Sequence, residues 1–232
     1  MSTKDSFGGI FMKKFLIASL FLVFFLLLGC QNQADKNIVE NQQEKDDAEI
    51  DDNQRTLDNI DGEIEIFEFK EAVRTSNLIA QVKIIESVEE IDGPTPKTMY
   101  RATLIESLKG TSDAKEIFVL QQGNSDFVFR DNPLFKKGEN YLLFLMETAD
   151  LDIEDSYWIL GEETGIYQLL DESIAVKWAV KEDELEKIEI VDKEIISFAE
   201  KNTELSLDGR EIQVLKQDEL KKLIKNVSSS IK

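Results

Sequence analysis

The hydrophobic pattern divides this chain into four stretches of different character. Phe15 to Leu28 is apolar at every position but Ser19. Gln31 to about Asp61 is polar and acidic, with apolar residues few and scattered. From Glu63 to Val180 the apolar residues come in short runs, many alternating with polar ones, as half-buried strands do. Beyond Lys181 the spacing lengthens to three and four, the period of an amphipathic helix.

The alternating region predicts a succession of short elements. Ile64 and Ile66 suggest a brief strand, and Phe69 to Arg74 a short helix ending near Ser76-Asn77. Leu78 to Val88, rich in β-branched residues, predicts a strand. The turn residues Asp92-Gly93-Pro94-Thr95-Pro96 break it. Thr98 to Leu108 follows, with Tyr100, Ala102, Leu104 and Leu108 expected on one face, and after a turn Ile117 to Gln121 makes the next strand. A long excursion, Gly123 to Asn140, leads to Tyr141 to Met146, whose unbroken apolar run predicts a central strand buried on both faces. Ala149 to Asp155 is an acidic hairpin loop; Tyr157 to Leu160, Ile166 to Leu170 and Ile174 to Val180 complete the strands. Short strands at this spacing predict a closed or nearly closed β-barrel. Val191 to Lys201 and Lys216 to Val227 predict helices, the second capped near Gln217 or Asp218. The expected fold is mainly β: a small barrel at 62–180 with a short N-terminal helix, followed by a helical extension at 181–232.

The run Phe15 to Leu28 holds 14 residues, too few to cross a bilayer core, which needs about 20 in a helix. Lys13 and Lys14 precede it, and Leu27-Leu28-Gly29-Cys30 closes it. This arrangement resembles the signal peptide of a bacterial lipoprotein, with Leu27, Leu28 and Gly29 leading the lipobox and Cys30 as the lipidated residue. The resemblance implies a diacylglyceryl group on the Cys30 thiol, cleavage between Gly29 and Cys30, and a new amino terminus open to acylation. Cys30 is the only cysteine in the chain, and lipidation accounts for an odd cysteine in an exported protein. Asp5 and Gly8-Gly9 do not suit the start of a signal peptide, so Met12 is the expected first residue. The stretch 31–61, with ten acids against three bases, has too little apolar surface to offset chain entropy and is expected to be a disordered tether. A flexible segment of that length spans on the order of 30 Å.

Charge and composition narrow the function. The formal net charge is −20, which argues against nucleic acid as a partner, since that binding depends on Lys and Arg neutralising phosphates. There is no histidine and one cysteine. His-based triads, His-containing zinc sites and cysteine nucleophiles are therefore excluded. Phosphate-cradling and nucleophile-elbow glycine motifs are absent too. An enzyme would have to rely on carboxylates, lysine, serine or tyrosine, and spacing singles out none of them. The chain is expected not to be an enzyme and to need no cofactor.

Three segments carry a second resemblance. Phe69 to Ile79 is similar to a short helix feeding a first barrel strand, Tyr100 to Gly110 to a long strand ending in Leu-Lys-Gly, and Gly138-Glu139-Asn140-Tyr141-Leu142 to the start of a later one. The set resembles netrin-like domains, the OB-type barrel of metalloproteinase inhibitors, over roughly Ile66 to Leu170. Those inhibitors present a free N-terminal cysteine braced by disulfides. Here the one cysteine is expected to be acylated and set apart by the tether, so that mechanism does not carry over.

What remains is recognition. Asp126 to Lys137, DFVFRDNPLFKK, gathers Phe127, Phe129, Arg130 and Phe135 in an otherwise acidic domain. These four residues are the candidate partner-binding loop, suited to an envelope protein or a glycan; the plainer expectation is a lid whose aromatics plug one barrel end. Asp150, Asp152, Glu154 and Asp155 lack the glycine and the final acid of an EF-hand loop, so no metal site is expected. Trp158, Tyr167 and Trp178 are expected in the core or half-buried in the sheet. The chain is thus expected to be an extracytoplasmic lipoprotein, held to the cell membrane by its lipid, that works by binding. An exclusion or immunity lipoprotein directed at phage or plasmid is the alternative.

Overall fold

The computed structural model of the protein describes residues 58–60, 65–130, 132–149, 153–178, 181–203 and 212–230, all within one compact unit, Asn53–Lys232. Leu27, Leu28, Gly29 and Cys30, with most of the expected tether, lie outside the described residues. The end of that tether is not free chain: Asp58–Ile60 is a strand, β1, paired in parallel with Phe127–Phe129.

Helix α1 (Phe69–Thr75) buries Phe69, Ala72 and Val73, which share one face at spacings of three and four. It stops at Ser76, whose hydroxyl donates to the Ala72 carbonyl at 2.8 Å. Lys109 donates to the carbonyls of Arg74 and Ser76 at 2.6 and 2.5 Å, placing a cation where the helix dipole favours one. No strand forms at Ile66, which is 65% exposed; Ile64 lies outside the described residues.

Strands β2 (Leu78–Ile91) and β3 (Lys97–Lys109) form a long antiparallel hairpin whose register slips four times. Ile85 and Val88 on β2, and Ile105 and Leu108 on β3, are the extra residues. Such bulges bend a hairpin and turn it round a barrel. They also explain why Val88 and Ile105 sit 46% and 49% exposed. The slip at Ile105 reverses the alternation, so Leu108 leaves the face of Tyr100, Ala102 and Leu104 for a second core, correcting the single face that period-two spacing suggests.

Beyond β3 come β4 (Glu116–Gln122), β5 (Phe127–Phe129), β6 (Asn140–Glu147) and β7 (Ser156–Ile159). Closure runs β6, β2, β3, β4, β7 and back to β6, with every pairing antiparallel except β4–β7. Five strands in this order, with that one parallel seam, make an OB-type barrel. Inside it lie Val82, Ile84, Tyr100, Ala102, Ile117, Val119, Tyr141 and Leu143, all buried.

β6 is where the sheet forks. Its Leu145 to Glu147 end pairs with β7 to close the barrel, while Asn140 to Leu143 pairs with β8 (Ile166–Leu169) instead. From β8 the sheet continues through β9 (Ile174–Lys177) to β10 (Gln213–Lys216). Periodicity places the segments of β8 and β9 in the barrel and gives no strand at β10. Instead these strands form a wing on it. The outward face of β6, Leu142 and Phe144, is covered by α1 and by α3 (Gln217–Ser229), which buries Leu220, Ile224 and Val227. Each such side chain contributes about 2 kcal/mol. The helix between, α2 (Lys193–Lys201), is capped by Asp192, which accepts from Glu194 and Ile195 backbone N–H groups. The free edge of β10 is shielded by Glu189 and Ile190. Among the described residues no helix is long and apolar enough to cross a membrane.

Candidate functional site

The loop DFVFRDNPLFKK does not present its aromatics as one surface. Phe135 sits in the barrel core against Tyr100, Tyr141 and Trp178, with ring centroids 5.3, 4.4 and 6.0 Å away. Phe129 is buried, and Phe127 and Arg130 are half-buried. The loop backbone is held by one amide: Gln121 Nε2 donates to the Pro133 carbonyl at 2.9 Å, and the Phe135 N–H donates to Gln121 Oε1 at 3.0 Å. Asn124 Oδ1 accepts from the N–H groups of Asp126 and Phe127, closing the turn into β5. Arg130, at φ 51°, places its Nε 3.5 Å from Glu163. Tyr167 and Trp178 are buried, and Trp158 is half-buried with Lys97 5.3 Å from its ring centroid. Of the acidic loop, Asp150 and Asp152 lie outside the described residues. No group of acids, histidine or cysteine among the described residues could hold a metal ion.

Glu163 belongs to a buried charged knot at the fork. Between β7 and β8 the chain makes a 3-10 turn, Glu162–Gly165, entered through Gly161 at φ 61° and Glu162 at φ 45°. A Cβ on Gly161 would lie 2.2 Å from Thr164 Oγ1 and 2.9 Å from the Glu65 carbonyl. Gly161→Ala is therefore expected to destabilise the fold by about 2 kcal/mol, from left-handed strain plus the clash, measurable by denaturant titration. Burial pushes the Glu162 carboxyl up to about 8, with the Glu163 charge adding and the Gln122 N–H and Lys97 opposing. Burial likewise pulls the Lys177 ammonium down to about 8, against the attraction of Glu182 and Glu163. Lys177 lies 5.4 Å from the centre of the Tyr167 ring and is 3% exposed. Glu162, Glu163 and Lys177 are all buried, so a change in their protonation acts on stability.

The open site is elsewhere. A cleft of about 550 Å3 lies on the outer side of the sheet, lined by Gln81 of β2, Asn140 of β6, the β8 end and turn from Leu169 to Glu172, and Gln217, Asp218 and Lys221 of α3. This is within the range of small-molecule sites. The Asp171 carboxylate shapes the turn: its Oδ1 accepts from the Ser173 N–H, the Ser173 hydroxyl and the Ile174 N–H. Partial burial works against that charge, but these hydrogen bonds outweigh it and hold the carboxyl below its usual range. The Ser173 carbonyl in turn accepts the Gln217 N–H at 2.9 Å, docking the start of α3 onto the turn. Lys221 is already engaged, donating to Gln81 Oε1 at 2.6 Å and to Glu106 at 3.0 Å.

Gln217 is the anomaly. It is 4% exposed, it lines the cleft, and its Oε1 has no hydrogen-bond partner. An unsatisfied buried acceptor costs about 1–3 kcal/mol. Asn132, within the loop DFVFRDNPLFKK, is a second case, with both side-chain polar atoms unpaired. No cleft residue is legible as part of a site from the sequence, because they come from four distant segments and share no motif; only Asp171 before Ser173 carries a local signal, that of a turn. What the fold and site define is an OB-type barrel with a sheet wing and a polar cleft beside it. No family model matches the chain, and no curated protein matches it either.

Proposed function

We propose that this protein is a lipid-anchored, extracytoplasmic binding protein without catalytic activity, held at the cell membrane through Cys30. The observation that carries the binding role is the open cleft of about 550 Å3, lined by the polar side chains of Gln81, Asn140, Asp171, Gln217, Asp218 and Lys221. The lipobox at Leu27 to Cys30 supports the address, and two or more acyl chains hold a protein stably at a bilayer. The acidic domain is repelled by an anionic membrane surface and by nucleic acid, which leaves an envelope protein or glycan as partner. Of the four candidate loop residues, Phe127 and Arg130 are half-buried and so the more accessible to such a partner. Cys30→Ala is expected to abolish incorporation of labelled palmitate and to leave the signal segment Met12 to Gly29 attached. Normal processing of that variant would overturn the anchor. Crosslinking of the intact lipidated protein in membranes, with and without Gln217→Leu, tests the binding role: capture of the same partners by both would remove the cleft from it.

A further inference from the structure

We infer that the edge of β5 now covered by β1 is a docking site for an extended segment of a partner protein, which pairs with Phe127–Phe129 in place of β1. β1 and β5 make a two-stranded sheet of their own, apart from the eight-stranded sheet that carries the barrel and the wing. Their register is parallel, with Asp58 opposite Phe127, Asn59 opposite Val128 and Ile60 opposite Phe129. One edge of β5 is spent within its own loop. The Asn124 and Asn132 N–H groups donate to the Phe127 and Phe129 carbonyls, each at 2.8 Å, and Asn124 Oδ1 accepts from the Phe127 N–H at 3.0 Å. Backbone groups alternate between edges along a strand, so Val128 is the residue whose N–H and carbonyl face β1. Arg130, at φ 51°, then turns the chain out of the strand.

Occupant and site are unequal. Phe127, Val128 and Phe129 are residue types that favour strands, whereas Asp58 and Asn59 are types that strands avoid. Parallel pairing is also slightly the weaker kind per residue. β1 holds its place chiefly because it belongs to the same chain, and such linkage confers an effective concentration on the order of millimolar. A sheet edge gives main-chain hydrogen bonds to any extended segment, and side chains then choose among them. A segment with β-branched residues opposite Phe127 and Val128 offers the same backbone groups with better propensity. The net charge of −20 favours a partner carrying Lys or Arg beside the paired residues.

The test uses the intact chain, purified in detergent, with Cys30→Ser, Asn59→Cys and Val128→Cys, so that the introduced pair are its only thiols. Opposed residues on neighbouring strands lie about 4.8 Å apart, within reach of a disulfide. Oxidation therefore locks β1 in place, and reduction of the same sample frees it. The probe is a labelled peptide of residues 54–62 with Asp58→Thr and Asn59→Val, followed by fluorescence anisotropy. Reduced protein is expected to saturate, and oxidation to weaken binding by about tenfold or more. The same peptide with Ile60→Pro lacks a backbone N–H in the paired stretch and should not bind. Equal binding by the oxidised and reduced forms, equal binding of the proline peptide, or no binding at all would overturn the inference. So would a failure of the disulfide to form. A dimer seen only on reduction, with the peptide excluded, would give the edge to β1 of a second copy instead and overturn the partner segment. Gln217→Leu should leave peptide binding unchanged, so failure at β5 and failure of the cleft are read separately.

Discussion

Phe135→Ala is expected to lower the stability of the barrel by about 3–5 kcal/mol, the range for removing a large aromatic side chain from a packed core. The side chain is 5% exposed and fills the space among Tyr100, Tyr141 and Trp178, so truncation leaves a cavity that three rigid rings cannot collapse to fill. For a unit of this size the melting temperature should fall by about 10 °C. Scanning calorimetry checks it, and a fall under 2 °C would mean the loop is not part of the core. Binding experiments are affected too. Deleting DFVFRDNPLFKK removes Phe135 along with Phe127 and Arg130, so lost partners would report an opened barrel as readily as a lost contact. Point changes at Phe127 or Arg130 avoid that confusion.

Glu162→Gln should reverse part of the protein's dependence on pH. In the fold Glu162 holds its proton up to about pH 8, whereas in the unfolded chain it releases it near 4.5. The folded state binds the extra proton between those values, so the contribution of Glu162 is full below pH 4.5 and is lost as pH rises through 8. The loss is on the order of 5 kcal/mol over that window. Lys177 acts with the opposite sign above it: its folded value is about 8 against 10.5 unfolded, so the unfolded chain binds more protons between the two and stability rises with pH there. The wild type should therefore show a minimum near pH 8. Denaturant titrations at half-unit intervals should show the acid limb flattened in Glu162→Gln and the alkaline limb flattened in Lys177→Met. Parallel curves for wild type and both variants would show that neither group titrates in its buried position.

Much of the fold was legible because local signals agreed with the tertiary outcome. The turn at Asp92 to Pro96, the apolar run at Tyr141 and the helical spacing of Leu220, Ile224 and Val227 each report their surroundings from within a few residues. The errors have a common physical origin. Strand β10 looks like the lead-in to a helix, because Gln213 to Lys216 acquires its strand character only from pairing with Ile174 to Lys177. The bulges of β2 and β3 redirect Leu108 by a slip that no alternation rule contains. β1 lies in a stretch read as tether, and its pairing with β5 was invisible for the same reason.

The amino-acid sequence by itself determined a mainly β barrel with helices at its ends, an acidic character that disfavours nucleic acid, and the absence of histidine chemistry. Periodicity and composition are local or summed quantities, and a chain carries them whether or not it is folded. Only the tertiary structure decided that β6 forks, that Phe135 points inward, and that Gln81, Asn140, Asp171 and Gln217 meet at one cleft. Those facts depend on which distant segments pair. Pairing is chosen by the burial of whole faces at once, which no single segment encodes.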